Sequence, residues 1–250
     1  MSSEDLMQRY RFYLPELPFQ DEELVVTGDI ARQLFRVLRR RPGDPVGLFC
    51  GDGREHDCRL LSVGVSEARL HREGVREPAV ELPGRLEVAL SLLKADRLEW
   101  AAQKLTEVGV TRLVLLRAAR TVALGESGTR LGRLRRVMVE AAEQSGRVRV
   151  PELAGPLGVD EVVAEFGAEP TAYIACEDAS LPLARALASR RSRERIVVLV
   201  GPEGGFTPAE VAHTLACGVR PVSLGGRTLR AETAAVTAAV LAASTLEGGG

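Results

Sequence analysis

From residue 86 onward, short apolar runs alternate with amphipathic helical repeats, and this alternation restricts the fold more than any other feature of the chain. The runs "LEVALSLL" (86–93), "RLVLLRA" (112–118), "TAYIAC" (171–176), "IVVLV" (196–200) and "RPVSLG" (220–225) have the length and composition of strands. Between them lie the helical stretches 95–109, 130–146, 181–190 and 208–218, and an alanine-rich stretch over 231–246 closes the series. In the first helix Leu98, Ala101, Ala102, Leu105 and Val108 share one face, and Gly109 is its stop. Single helices between successive strands imply an α/β domain with a parallel sheet covered on both faces.

The first 80 or so residues read differently. "PGDPVGLFCGDGREHDCRLLSV" (42–63) carries a Pro-Gly-Asp turn, an apolar run and a Gly-Asp-Gly hairpin turn, and "EARLHREGV" (67–75) supplies a further strand. "DIARQLFRVLRR" (29–40) has Ile30, Leu34, Val37 and Leu38 at helical spacing, with Asp29 as the expected N-cap. A small β-barrel with one helix is predicted over 1–76. "REPAVELPGR" is rich in proline and glycine, so 77–85 is read as the linker and 86–247 as the second domain.

Composition excludes several functions. The formal net charge is −1, so no global basicity points to nucleic acid. Of 33 basic residues only Lys94 and Lys104 are lysine, a bias that genome composition explains as readily as function does. Cys50, Cys58, Cys176 and Cys217 form no CxxC pair, and His56, His71 and His213 are scattered, so no metal site is expected. Free thiols and the lack of an apolar leader or membrane span lead to the expectation of a cytoplasmic protein with no membrane partner.

The chemistry concentrates in two loops. "LVGPEGGF" (199–206) follows the most apolar strand and precedes Thr207-Pro208-Ala209-Glu210, a capping box with proline at the first helical position. Threonine and glutamate there occupy donors that a phosphate would need, and Glu203 adds negative charge. Neither the P-loop nor the GxGxxG spacing is present, so a polyphosphate is disfavoured. Gly201, Gly204 and Gly205 leave room for a flat ring, although an ordinary glycine-rich turn would look the same. "LGGRTLRAETAAV" (224–236) repeats the arrangement one unit later, and adjacent strands would set the two loops side by side. Glu232 in the first helical turn suits the helix dipole, whereas Arg230 does not unless an anion meets it.

These paired loops resemble those of the SPOUT, or trefoil-knot, methyltransferases, and more narrowly the 16S ribosomal RNA (uracil-N3)-methyltransferase family. "RYRFY" (9–13), "VLRRRPGD" (37–44), "KADRLEWAAQKLTEVGV" (94–110) and "EAAEQSGR" (140–147) are similar to that family in the same order. The resemblance implies a PUA-like RNA-binding barrel followed by a knotted domain, a homodimer, and S-adenosylmethionine as cofactor. The implied activity is methylation of N3 of a uridine in 16S ribosomal RNA, within the small subunit. The alternatives are a knotted enzyme acting on tRNA or another ribosomal position, or a non-catalytic assembly factor. Implied cofactor contacts are Leu199, Val200, Gly201, Pro202, Glu203, Gly204 and Gly205 in the first loop. In the second they are Leu224, Gly225, Arg227, Leu229, Arg230 and Thr233, with Cys176 at the end of an earlier strand. Gln33 stands where the family commonly has histidine.

Uracil N3 must lose a proton before it attacks a methyl group. Either a base removes it or a cation stabilises the anion on the flanking carbonyls. Arg230 is assigned the second role, and Glu232 is either the base or a structural carboxylate. RNA contacts are expected at Arg9, Arg11, Arg36, Lys94, Lys104, Gln144 and Arg147, with Trp100 packed in the interior.

Overall fold

The structure is a computed structural model that describes residues 10–16, 21–121, 128–166, 171–189 and 195–248. The chain divides into two compact units, Met1–Glu81 with Ala142–Arg149, and Leu82–Ala141 with Val150–Gly250. The division falls inside the stretch read as a linker, and the segment Ala142–Arg149 groups with the first unit.

The first unit holds β1 (Tyr10–Tyr13), β2 (Glu23–Thr27), α1 (Gly28–Arg32), β3 (Pro45–Phe49), β4 (Glu55–Val63) and β5 (Glu67–Arg76). They form a curled half-barrel sheet in the order β1-β3-β4-β5-β2, antiparallel except for the β1–β3 pair. Two register shifts between β4 and β5 bend these long strands, because a bulge adds local twist. Strand β2 alternates buried and exposed residues, as a sheet with one face on a core must. That core is built from Phe12, Leu24, Val26, Leu34, Leu48, Leu60 and Leu70.

The helix over 29–40 differs from expectation. Thr27, not Asp29, takes the cap position, and Asp29 instead pairs with Arg32 at 2.8 Å within the first turn. After Arg32 the chain widens into one π turn, Gln33–Val37, and Arg39 then takes a left-handed φ of 49°. The apolar spacing in the sequence carries no sign of that widening.

Within the first unit Arg11 caps backbone carbonyls that helix geometry leaves open. Its guanidinium donates to Ala142 O (3.2 Å), Glu143 O (3.0 Å) and Arg147 O (2.8 Å), and it pairs with the buried Glu55. Arg147, itself buried, pairs with Glu81 at 2.7 Å.

The second unit holds β6 (Arg85–Ser91), α2 (Ala95–Glu107), β7 (Arg112–Arg117), α3 (Gly128–Ser145, grouped with the first unit from Ala142 on), β8 (Glu152–Gly158), α4 (Val159–Phe166) and β9 (Ala172–Ala175). It continues with α5 (Leu183–Ala188), β10 (Arg195–Val200), α6 (Pro208–Ala216), β11 (Arg220–Val222) and α7 (Ala231–Glu247). All strands are parallel, in the order β11-β9-β10-β6-β7-β8. Helices cover both faces. Leu98 and Leu105 of α2, Leu183 of α5 and the alanines of α7 pack on one side, and Val162, Phe166 and Val219 on the other. In α7, Ala231, Ala234, Ala235, Ala238, Ala239, Ala242 and Ala243 are buried. Small side chains there let the helix lie close to its neighbours, at a cost in buried apolar area that the helical propensity of alanine partly offsets.

In the second unit two elements went unread in the sequence, β8 and α4. Gly155 and Pro156 make β8 look like a loop, yet β8 is an edge strand, where a missing N–H leaves no ladder bond unmade. Trp100 is 44% exposed rather than packed, because the buried face of α2 is defined by Leu98, Ala101, Ala102 and Leu105.

Candidate active site

The β strands of the second unit end together, and the loops that leave β9, β10 and β11, with Arg120 from the loop after β7, line a cavity of about 420 Å³. This is the end of a parallel sheet where ligands bind, since the loops there diverge toward opposite faces. The first loop leaves β10 through Val200, Gly201, Pro202, Glu203, Gly204 and Gly205; the second leaves β11 through Leu224, Gly225, Arg227 and Leu229. The two loops do not come from neighbouring strands, as the sequence suggested, because β9 lies between β10 and β11. Its own loop, from Ala175 to Asp178, therefore forms the floor between them. This explains why Cys176 belongs to the site.

Local chemistry fixes each loop. A Cβ on Gly201 would stand 3.0 Å from the ring of Phe206, so a side chain here would need that buried ring or the loop to give way. Gly225 has φ +118°, a conformation that side chains rarely adopt. The capping box at the start of α6 is complete. Thr207 N donates to Glu210 Oε2 at 2.7 Å, and Glu210 N donates to Thr207 Oγ1 at 3.2 Å. Glu210 also accepts from Ala119 N at 2.7 Å, and Arg120 donates to Gly204 O at 2.7 Å, so the loop after β7 is fastened to the glycine loop. Burial alone would raise the Glu210 pKa, but hydrogen bonds from the Thr207 and Ala119 N–H groups hold it below the usual carboxylate value. On the other side, Cys176 N donates to Val222 O at 2.9 Å, and Ser223 N donates to Leu181 O at 2.9 Å. Burial, and then Asp178, push the Cys176 thiol upward.

The lining mixes charges. Glu177, Asp178 and Glu203 face the cavity together with Arg120 and Arg227. Such a site takes a ligand that carries both signs and has a flat part for the glycine-rich wall.

Not every expected residue reaches the cavity. Leu199 is fully buried in the core on the α4 side and is not among the lining residues. Arg230 and Thr233 do not line it either; Arg230 stands exposed at the cap position of α7 without a capping hydrogen bond. Glu232 is 7% exposed, and its Oε2 has no hydrogen-bond partner. Arg97, which sequence reasoning did not single out, is paired with both Glu203 and Glu232. Its signal in the sequence is the one that marks Arg230, a cation at a helix N-terminus, which is unfavourable unless an anion meets it.

The residues expected to contact RNA are dispersed. Arg9 lies outside the described residues. Arg11 and Arg147 are committed to the internal partners given above. Lys104 pairs with Glu107 at 2.8 Å, whereas Arg36, Lys94 and Gln144 are exposed. Among the described residues no group of His, Cys, Asp and Glu could hold a metal, and no helix is long and apolar enough to cross a membrane.

Residues 80–243 match the family model of the RNA methyltransferase domain. The chain is 34% identical over 239 residues to the ribosomal RNA small subunit methyltransferase E of Synechocystis sp., covering 95% of this chain and 78% of that protein. The chain belongs to the ribosomal RNA small subunit methyltransferase E family. The family member from Bacillus subtilis is 31% identical, with 91% of this chain and 93% of that one covered. The solved family structure from Neisseria gonorrhoeae, bound to S-adenosyl methionine, superposes with a TM-score of 0.85 at 32% identity, covering 96% of this chain and 98% of that one.

Proposed function

We propose that the protein transfers the methyl group of S-adenosylmethionine to N3 of a uridine in 16S ribosomal RNA. The observation that carries this reading is the cavity itself: two glycine loops and the end of β9 frame it, in a chain that shares its fold with a family member bound to that molecule. The residues suit the cofactor. Gly205 and Gly225, with open space where a side chain would stand, leave room for the flat base, Glu203, Glu177 and Asp178 suit its cationic centres, and Arg120 and Arg227 suit its carboxylate. Bound there, S-adenosylmethionine supplies an electrophilic methyl group. The protein's task is then to hold the target base in line with it and to shield the site from water.

Arg230, exposed beside the second loop, is the cation we assign to the anion that forms on the uracil carbonyls when N3 loses its proton. Glu232, buried and paired with Arg97, is read as the structural carboxylate rather than the base. Phosphate contacts fall to exposed residues, Arg36 and Gln144 on the first unit and Lys94 on the second. The first unit then acts as a PUA-like RNA-binding module.

Two further features of the family are proposed here. The chain leaves β11 at the sheet edge and returns to pack α7 on β6 and β10, passing the β9–α5 loop to which Ser223 is bonded. That path supports a trefoil knot. Trp100 on α2 and Val240 on α7 are exposed apolar residues on two helices that pack together, which supports a homodimer through this face.

The deciding experiment incubates small ribosomal subunits and free 16S RNA with the protein and isotopically labelled cofactor. Mass spectrometry is expected to find labelled N3-methyluridine; its absence from both substrates refutes the reading. Arg230→Ala is expected to lower turnover by about a hundredfold, the scale of losing one stabilising donor.

A further inference from the structure

Arg97 stands in the first turn of α2 and carries two carboxylates from different elements. Glu203 belongs to the loop after β10, and Glu232, at 3.8 Å, to the first turn of α7. The three side chains differ in burial: Glu203 is 55% exposed, Arg97 27% and Glu232 only 9%. A carboxylate as deep as Glu232 needs a compensating charge, and with Oε2 unpartnered its compensation comes from Arg97. Glu203, by contrast, stays wet enough to move if it were released. Both carboxylates sit between residues of the cavity wall. Pro202 and Gly204 flank Glu203, and Ala231 precedes Glu232.

We propose that Arg97 is a positioning residue for the cofactor site. By gripping Glu203 and Glu232 at once it fixes the separation of the cavity's two walls, the glycine loop on one side and the start of α7 on the other. A single guanidinium can do this because its planar fork presents donors in more than one direction. Without it, Glu203 loses its ion-pair partner and Glu232 is left with only the N-terminus of α7 to offset its charge. The proposal rests on the reading of the cavity as the S-adenosylmethionine site.

The test is a double-mutant cycle on cofactor affinity, measured by calorimetry with the full-length protein and S-adenosylmethionine, alongside thermal unfolding. Arg97→Ala and Glu203→Gln are each expected to weaken binding by about tenfold, and the double variant by no more than the worse single, as for coupled residues. Arg97→Lys restores only part of the affinity, because the charge returns without the planar fork that reaches both carboxylates. In turnover assays Arg97→Ala raises the KM for cofactor while kcat at saturating cofactor stays close to that of the parent. Affinity unchanged in Arg97→Ala, or single losses that multiply in the double variant, overturns the proposal. Should the parent protein itself fail to bind S-adenosylmethionine, the reading of the cavity falls with it. Glu203 is exposed, so Glu203→Gln keeps the fold; should Arg97→Ala prove too unstable, Arg97→Gln, which removes the charge and keeps a polar stem, takes its place in the cycle.

Discussion

Glu210 shows how much one side chain can organise. One oxygen closes the capping box of α6 and the other holds the N–H of Ala119, so the loops after β7 and β10 share a single carboxylate. Its pKa in the folded chain lies below the ordinary 4.5, so the stability it contributes is fully present above that value and is lost as pH falls through the lower, folded value. Glu210→Gln is therefore expected to be less stable at neutral pH and to lose less further stability on acidification, as thermal melts at a series of pH values would record. Thr207→Ala removes the other half of the box and should cost about 1 kcal/mol in denaturant unfolding. Gly201→Ala places a methyl 3.0 Å from the Phe206 ring, so either the ring or the loop must shift. Weaker binding of S-adenosylmethionine by calorimetry is the expected result, and unaltered binding would show that the loop absorbs the change. Arg97 and Arg230 occupy comparable places, and their fates differ for a physical reason. Arg97 meets two carboxylates, whereas Arg230 keeps its charge in solvent.

At the level of elements, periodicity was the reliable guide wherever a helix was long. The stretches read as helices over 95–109, 130–146, 208–218 and 231–246 correspond to α2, α3, α6 and α7, with ends shifted by a residue or two. The capping box at Thr207–Glu210 was legible because its bonds join residues three apart. Asp29 misled for the complementary reason: a potential cap residue does not fix where a helix starts when glycine can begin the turn instead. The strand β8 is invisible to patterning, since an edge strand tolerates glycine and proline that would break a central one. Helix α7 makes the clearest prediction at this scale. Ala238 is fully buried in the core that α7 shares with α2, β6 and β10, so Ala238→Leu should destabilise the fold by about 1–3 kcal/mol through overpacking, measurable by chemical denaturation.

For the whole molecule, the proposed pairing of two copies can be tested directly. Placing a charge on the exposed apolar face, as in Val240→Glu, is expected to convert a dimer to monomers in light scattering, without loss of secondary structure. A parent protein that is monomeric at all accessible concentrations would dispose of that arrangement. Cofactor at about a hundred times its Kd should stabilise the folded chain by roughly 2.7 kcal/mol, which raises the unfolding midpoint. The alternation of apolar runs and helical repeats by itself determined that a parallel α/β sheet would form, because hydrophobic period and crossover geometry are local properties. The paired glycine loops likewise pointed to the end of that sheet where the cavity lies, since a glycine-rich turn after an apolar strand is itself a local pattern. Strand order could not be read this way. It follows from which faces the helices bury, a matter of contacts between residues far apart in the chain. Only the tertiary structure inserted β9 between β10 and β11, brought Cys176 and Asp178 to the floor of the cavity, and set one arginine from α2 between a glutamate of the glycine loop and one in the first turn of α7.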